Sequence, residues 1–211
     1  MSEELRLESP DGTEGVLEGS IQWGEEEGLD PVLVHAITVP LAPLRLGENA
    51  QDKEPVLRLH SIRFAVRSWR ELAGRTFSFP NVVRHVEADG ESHPLYDIYG
   101  SLRLAADYHQ VLMSTVAFDQ FEGCRVVARL AGSVRSVADP LAFTPADFSC
   151  ETSLTVGPIS VRGDLGSSSV PTLAEAEKLA QSLLRLEDYE QPRNLNGGVR
   201  LRPACPGSGS R

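Results

Sequence analysis

The densest collection of catalytic residue types in the chain is HPLYDIYGSLRLAADYHQ, which carries His93, Asp97, Tyr99, Asp107 and His109. With His60, these are the residues from which a hydrolytic site would be built, a histidine moving the proton and a carboxylate orienting it. Spacing argues against such a site forming locally. An extended chain advances about 3.3 Å per residue, so Asp97 and His109 cannot meet along one strand. A chain reversal near Ala106 and Asp107 places Asp97 opposite the neighbourhood of Ala117 and leaves Asp107 and His109 at an exposed turn. A hydrolase built from His60, His93, Asp97 and His109 therefore requires distant segments to converge.

Other chemistry is sparse. The five histidines have no HxH or HExxH spacing, and no metal site is expected. No GxGxxG, GxxxxGK[ST] or GxSxG pattern occurs, and no cofactor is expected; LNGGVRL reads as a turn. Cys124, Cys150 and Cys205 lie outside any metal-ligand spacing and read as reduced thiols of a cytoplasmic protein. GEEEG, with Glu25, Glu26 and Glu27, lacks a fixed oxygen-ligand pattern and reads as a solvated acidic loop that could face a basic partner.

Charge is distributed unevenly. The chain has 211 residues and a net charge of −10, and residues 1–54 carry 13 Asp or Glu against three basic residues. The remainder carries 17 of each sign. RFAVRSWRELAGRTFSFP, residues 63–80, interleaves four arginines with Phe64, Trp69, Phe77 and Phe79. Stacking on nucleic acid needs exposed aromatics and a basic face. Phe64 is in phase with Ile62 and Val66, and Phe77 and Phe79 alternate with Thr76 and Ser78, so the phenylalanines read as core. Nucleic acid is accordingly not expected as a partner. Trp69, flanked by Arg67 and Arg70, is either core or contact, and these three are the candidate binding residues.

Periodicity supplies the elements that would position these groups. Alternation in IYGSLRLA, VLMSTVAF and CRVVARLAGSV predicts a meander of three antiparallel strands, with DQFEG as one of its turns. Further strands are expected at Gly15–Trp23, Val32–Val39 and Val56–Val66, the last with a β-bulge near His60 and Ser61 where the apolar phase changes. TSLTVGPISVRG reads as two short strands about Gly157-Pro158. Thr172 with Glu175 forms a capping box opening a helix over 172–188, and Ser68 with Glu71 a second one, opening a helical turn at 68–74 that ends at Gly74. No stretch is apolar enough to span a membrane as a helix, and the acidic start does not resemble a secretory signal.

The expected fold is all-β, mainly an antiparallel β-sandwich with one C-terminal α-helix. It occupies residues 15–190 between a mobile acidic N-terminus, 1–14, and a mobile Pro/Gly-rich tail, 191–211. The expected function is a non-enzymatic intracellular protein-binding module, such as an immunity-like or inhibitor protein that recognises a basic partner. The alternatives are a subunit of a homo- or hetero-oligomeric assembly docking through Trp69 and its arginines, and the dispersed hydrolase.

Overall fold

The computed structural model describes residues 5–22, 30–46, 50–52, 55–79, 83–88, 91–96, 98–104, 107–135, 146–162, 171–195 and 198–205. In chain order the strands are β1 (Leu5–Glu8), β2 (Gly15–Gln22), β3 (Val32–Pro40), β4 (Leu44–Leu46), β5 (Ala50–Asp52), β6 (Val56–Ile62) and β7 (Thr76–Ser78). They continue with β8 (Val83–Ala88), β9 (Glu91–Tyr96), β10 (Gly100–Leu104), β11 (Asp107–Phe118), β12 (Arg125–Arg135) and β13 (Ala146–Val161). One helix, α1 (Leu173–Leu183), precedes β14 (Arg193–Leu195) and β15 (Gly198–Leu201).

Seven strands close on themselves in the order β12, β11, β10, β6, β3, β2, β13, with β13 also pairing β12. The architecture is all-β, as expected, but it is a closed barrel and not a two-sheet sandwich. The long strand β13 makes the difference. One of its edges pairs with β12 over Ala146–Thr155, and the other pairs in parallel with β1 and then β2. Closure leaves this part of the sheet without a free edge. Alternation in sequence cannot separate the two folds, because both send every second side chain inward.

The predicted meander is β10, β11 and β12, antiparallel in sequence. The predicted bulge is also present. Leu59 of β6 pairs with Ile37 and Ile62 with His35, so β6 carries one extra residue, and Ser61 has φ +58°. Gly157-Pro158 makes a second bulge, where the sequence suggested a turn between two strands. The register of β13 on β2 shifts between Val156 and Ile159, and the inward residues pass from even positions (Leu154, Val156) to odd ones (Ile159, Val161). A bulge leaves a backbone position out of the ladder, which is where proline, lacking an N–H, is tolerated.

The barrel interior is filled by side chains. Leu17, Ile37, Val39, Leu57, Leu59, Leu102, Val111, Met113, Val116, Ala128, Leu130 and Phe148 are all buried and belong to one core. Seven strands enclose little more space than such side chains occupy. Gly100 is required where β6 and β10 approach, because a Cβ there would lie 1.9 Å from the carbonyl oxygen of Arg58. We expect Gly100→Ala to destabilise the fold by about 3 kcal/mol, read from a urea midpoint.

A second core continues from the inward face of β2 and β13, separate from the first cluster. Ala176, Ala180 and Leu184 from α1 pack with Ile21, Val156, Ile159, Val161, Val199, Leu201, Tyr189 and Trp69. The Thr172–Glu175 capping box is formed, and the hydrogen bond from the Thr172 backbone lowers the Glu175 pKa. The helix stops at Leu183, short of the expected 188, because Leu184 is extended and Arg185 donates its N–H to Arg67 at 2.8 Å. A short 3₁₀ turn, Leu186–Asp188, follows. Two segments expected to be mobile are ordered in part. Leu5–Glu8 pairs with β13 as β1, and Arg193–Leu195 and Gly198–Leu201 form β14 and β15, with β15 paired to β13. Both are too short to show periodicity in sequence, and each is ordered by an edge that β13 offers.

Two thiols expected to be reduced are joined. Cys124, in the turn before β12, and Cys205, after β15, form a disulfide with their Cα atoms 5.4 Å apart. Only Cys150 is free among the cysteines; it is buried, and burial pushes its thiol up to about 11. Spacing alone could not pair residues 81 positions apart.

Candidate functional site

The stretch from Arg63 keeps the predicted inward phenylalanines and central helical turn, but the strand expected to reach Val66 ends at Ile62, and Ala65 has φ +50°. Phe64 is buried, Phe77 and Phe79 pack against the barrel core, and Thr76 and Ser78 are exposed. Between them, Trp69–Leu72 is a 3₁₀ turn, and Gly74 follows with φ +67°. The expected capping box is altered by this tighter winding. The Ser68 side chain accepts from the Arg70 N–H, and Glu71 Oε2 accepts from the Arg67 N–H, each at 3.1 Å.

Trp69 is core. It is 3% exposed, its indole Nε1 donates to the Asp188 carbonyl oxygen at 3.1 Å, and its ring meets Phe121 edge-on at 5.0 Å. The Trp69 ring thus offers no surface for docking, which removes the basis for an assembly subunit anchored on it. Both neighbouring arginines are engaged internally. Arg70 lies over the indole at 4.3 Å, and its Nε and Nη2 donate to Asp188 Oδ1 and the Ala204 carbonyl, each at 2.8 Å. Arg67 Nη2 donates to the Gln181 carbonyl at 3.2 Å. This stretch therefore clasps the C-terminal segment. Asp188 is buried and its Oδ2 has no hydrogen-bond partner, so Arg70 is what compensates its charge. We expect Arg70→Ala to cost about 2 kcal/mol in chemical denaturation. Arg193→Ala, at an exposed position on β14, should change stability by less than about 0.5 kcal/mol.

The histidines and aspartates do not converge among the described residues. His60 is exposed on the outside of β6, whereas His109 pairs with the inward Leu102 and is half-buried in β11, not at a turn as expected. His35 points inward at the level of Ile62, about 15 Å along β6 from the level of His109. His93 lies in the separate β8–β9 hairpin opposite Val86, and Asp107 begins β11. Asp97 and the acidic trio Glu25, Glu26 and Glu27 lie outside the described residues. No group of three metal-ligating side chains occurs among the described residues.

A recess with charged walls lies on the outer face of the barrel, over β11, β12, β13 and β1, and has a volume of about 660 Å³. Strand pairing builds it in two rows. One row runs Ala117, Arg129, Glu151, Glu8, and the next runs Thr115, Ala131, Ser149, Arg6. The small side chains of Ala117, Thr115, Ala131 and Ser149 keep the floor low, and the longer charged ones form the rim.

No family model matches this chain, and no curated protein or solved structure does either.

Arg129 is held by a salt bridge to Asp119. Glu8, Asp11 and Glu151 have no ion-pair partner in the described structure and outnumber Arg6, so the rim is net negative. Reading the sequence missed this site because its residues come from four strands spread between positions 6 and 151. Outward small residues on β11 and β12 were the one available signal, and they resemble any solvated strand face.

Proposed function

We propose that the protein is a non-enzymatic binding module whose outer recess receives a basic segment of a partner protein. The reading is supported above all by the recess of about 660 Å³, with Glu8, Asp11 and Glu151 on its rim. Desolvating a lysine or arginine against three unpaired carboxylates favours a cationic ligand, and like charge is rejected there. The concentration of acids in the first quarter of the chain adds long-range steering toward the same kind of partner. An inhibitor or immunity-like protein works in this way. Catalysis has less support, since the histidines sit on opposite sides of the barrel wall or on a separate hairpin.

No helix among the described residues is long and apolar enough to cross a membrane. Reduced thiols would point to the cytoplasm, but Cys124 and Cys205 are joined, and such bonds persist where conditions are oxidising.

The test is affinity capture from the native host with the wild-type protein and with Glu8→Lys/Glu151→Lys. A specific partner held by the wild type and lost by the variant, associating more slowly as salt rises, is the expected result. Equal capture by both proteins, or association indifferent to salt, overturns the reading.

A further inference from the structure

One covalent bond and a small set of weaker contacts hold the end of the described chain. Cys124 and Cys205 are both half-buried, so their disulfide is open to solvent, whereas Cys150 is enclosed in the barrel core. Upstream, β15 is fixed by its ladder with β13 and by the buried Val199 and Leu201. Residues 202–205 have less to hold them. Pro203 is buried and bridges Tyr189, the Glu190 N–H donates to the Arg202 carbonyl at 2.8 Å, and the Ala204 N–H donates to the Asp188 carbonyl at 2.9 Å. Arg70 Nη2 donates to the Ala204 carbonyl. The Asp188 carbonyl is shared, because it also accepts from the Trp69 indole at 3.1 Å. The Asp188 carboxylate keeps Oδ2 buried without a hydrogen-bond partner, a cost that opening would relieve by admitting water.

We propose that the Cys124–Cys205 bond is a redox latch: its reduction by a dithiol releases residues 202–205 and uncovers Trp69 while the barrel stays folded. One thiolate of the reductant attacks a sulfur of the pair, and its second thiolate resolves the mixed disulfide. Two electrons and two protons pass to the protein, the reductant leaves as its own disulfide, and Cys124 and Cys205 become thiols. Cys150, buried among apolar side chains, takes no part. Cys124 stays in place after reduction. Its carbonyl accepts from the Val156 N–H at 2.8 Å, and Glu122 and Arg125 exchange hydrogen bonds across its turn. Cys205 is the end that moves, since the cross-link alone kept it at high effective concentration beside its acceptors. Trp69 responds for two reasons: it shares the Asp188 carbonyl with Ala204, and its ring packs on Phe121, three residues before Cys124. The barrel closes through the ladders of β12, β13 and β2, none of which uses residues 202–205. The latch shares no residue with the acidic recess, and neither inference rests on the other.

The experiment uses Trp23→Phe, in which Trp69 is the only tryptophan of the chain. Reactive thiols, acrylamide quenching of Trp69 fluorescence and far-UV circular dichroism are followed without denaturant, before and after dithiothreitol. Two thiols should appear, and quenching should rise about threefold as the ring becomes accessible through local opening. Circular dichroism should hold, and reoxidation with a small disulfide should restore the low quenching. Cys124→Ser/Cys205→Ser in the same background should show the high quenching without reductant; the Trp23→Phe protein carries the test even where that variant fails to fold. Unchanged quenching once both thiols have appeared overturns the proposal, as does failure of dithiothreitol to reach the bond in the folded protein. Loss of circular dichroism in step with the quenching also overturns it, because the bond would then be a cross-link of the whole fold and not a latch.

Discussion

Replacing both Cys124 and Cys205 with serine is expected to lower stability by about 4 kcal/mol and the melting midpoint by on the order of 10 °C. The bond closes a loop of 81 residues, which contains β12, β13, α1 and the last two strands. In the chain-entropy account, a cross-link over so long a loop removes a large share of the unfolded chain's freedom. Its position adds to the effect. The disulfide anchors the end of the described chain beside the Arg70–Ala204 hydrogen bond and the backbone bond from the Ala204 N–H to Asp188. These weaker contacts depend on the tail being present. Dithiothreitol should reproduce the loss in the wild type and leave the double variant unchanged. Thiol titration in denaturant without reductant should find one group, Cys150. Three titrating thiols would show that the bond does not form.

Acidification should destabilise the protein by roughly 3 kcal/mol through His35 alone. This ring is buried in the barrel, 5.0 Å from the Phe64 ring, and its Nδ1 has no hydrogen-bond partner. Burial lowers its pKa from 6.5 to about 4, and a hydrogen bond with the Ile62 backbone opposes the shift only in part. Below pH 6.5 the unfolded chain takes up a proton that the folded chain refuses. The contribution to stability is therefore complete above pH 6.5 and disappears as pH falls to about 4. Urea midpoints for wild type and His35→Leu at about pH 7, 5.5 and 4 isolate this effect from that of the carboxylates. The wild type should fall more steeply, and the gap between the two curves should close or reverse toward acid. Parallel curves would contradict a neutral, buried His35.

Some tertiary features were readable because they leave a local signature. The β6 bulge appeared as a phase change between Leu59 and Ile62, since one extra residue is the only way to keep both inside. The Thr172–Glu175 box was legible because its two hydrogen bonds join residues three apart. Gly157-Pro158 misled for the same reason that it was conspicuous: a turn dipeptide and a proline-bearing bulge have the same local composition, and only the neighbouring strand distinguishes them. Trp69 could not be placed, because the surface covering it comes from Asp188, α1 and the C-terminal strands.

The amino-acid sequence by itself determined the strands of the central meander and β2, β3 and β6 with their inward faces, the Thr172–Glu175 cap and the acidic first quarter. Each is a consequence of period, propensity or composition within about ten residues. Only the tertiary structure decided that the sheet closes, that Cys124 meets Cys205, and that Arg67 and Arg70 hold the chain's own C-terminal segment. It likewise gathered Glu8 with Glu151 on one wall. Alternation states which side of a strand a residue faces; it contains no information on which strand lies alongside. That choice belongs to the pairing of β13 with partners at both of its edges, and the proposed recess depends on that barrel.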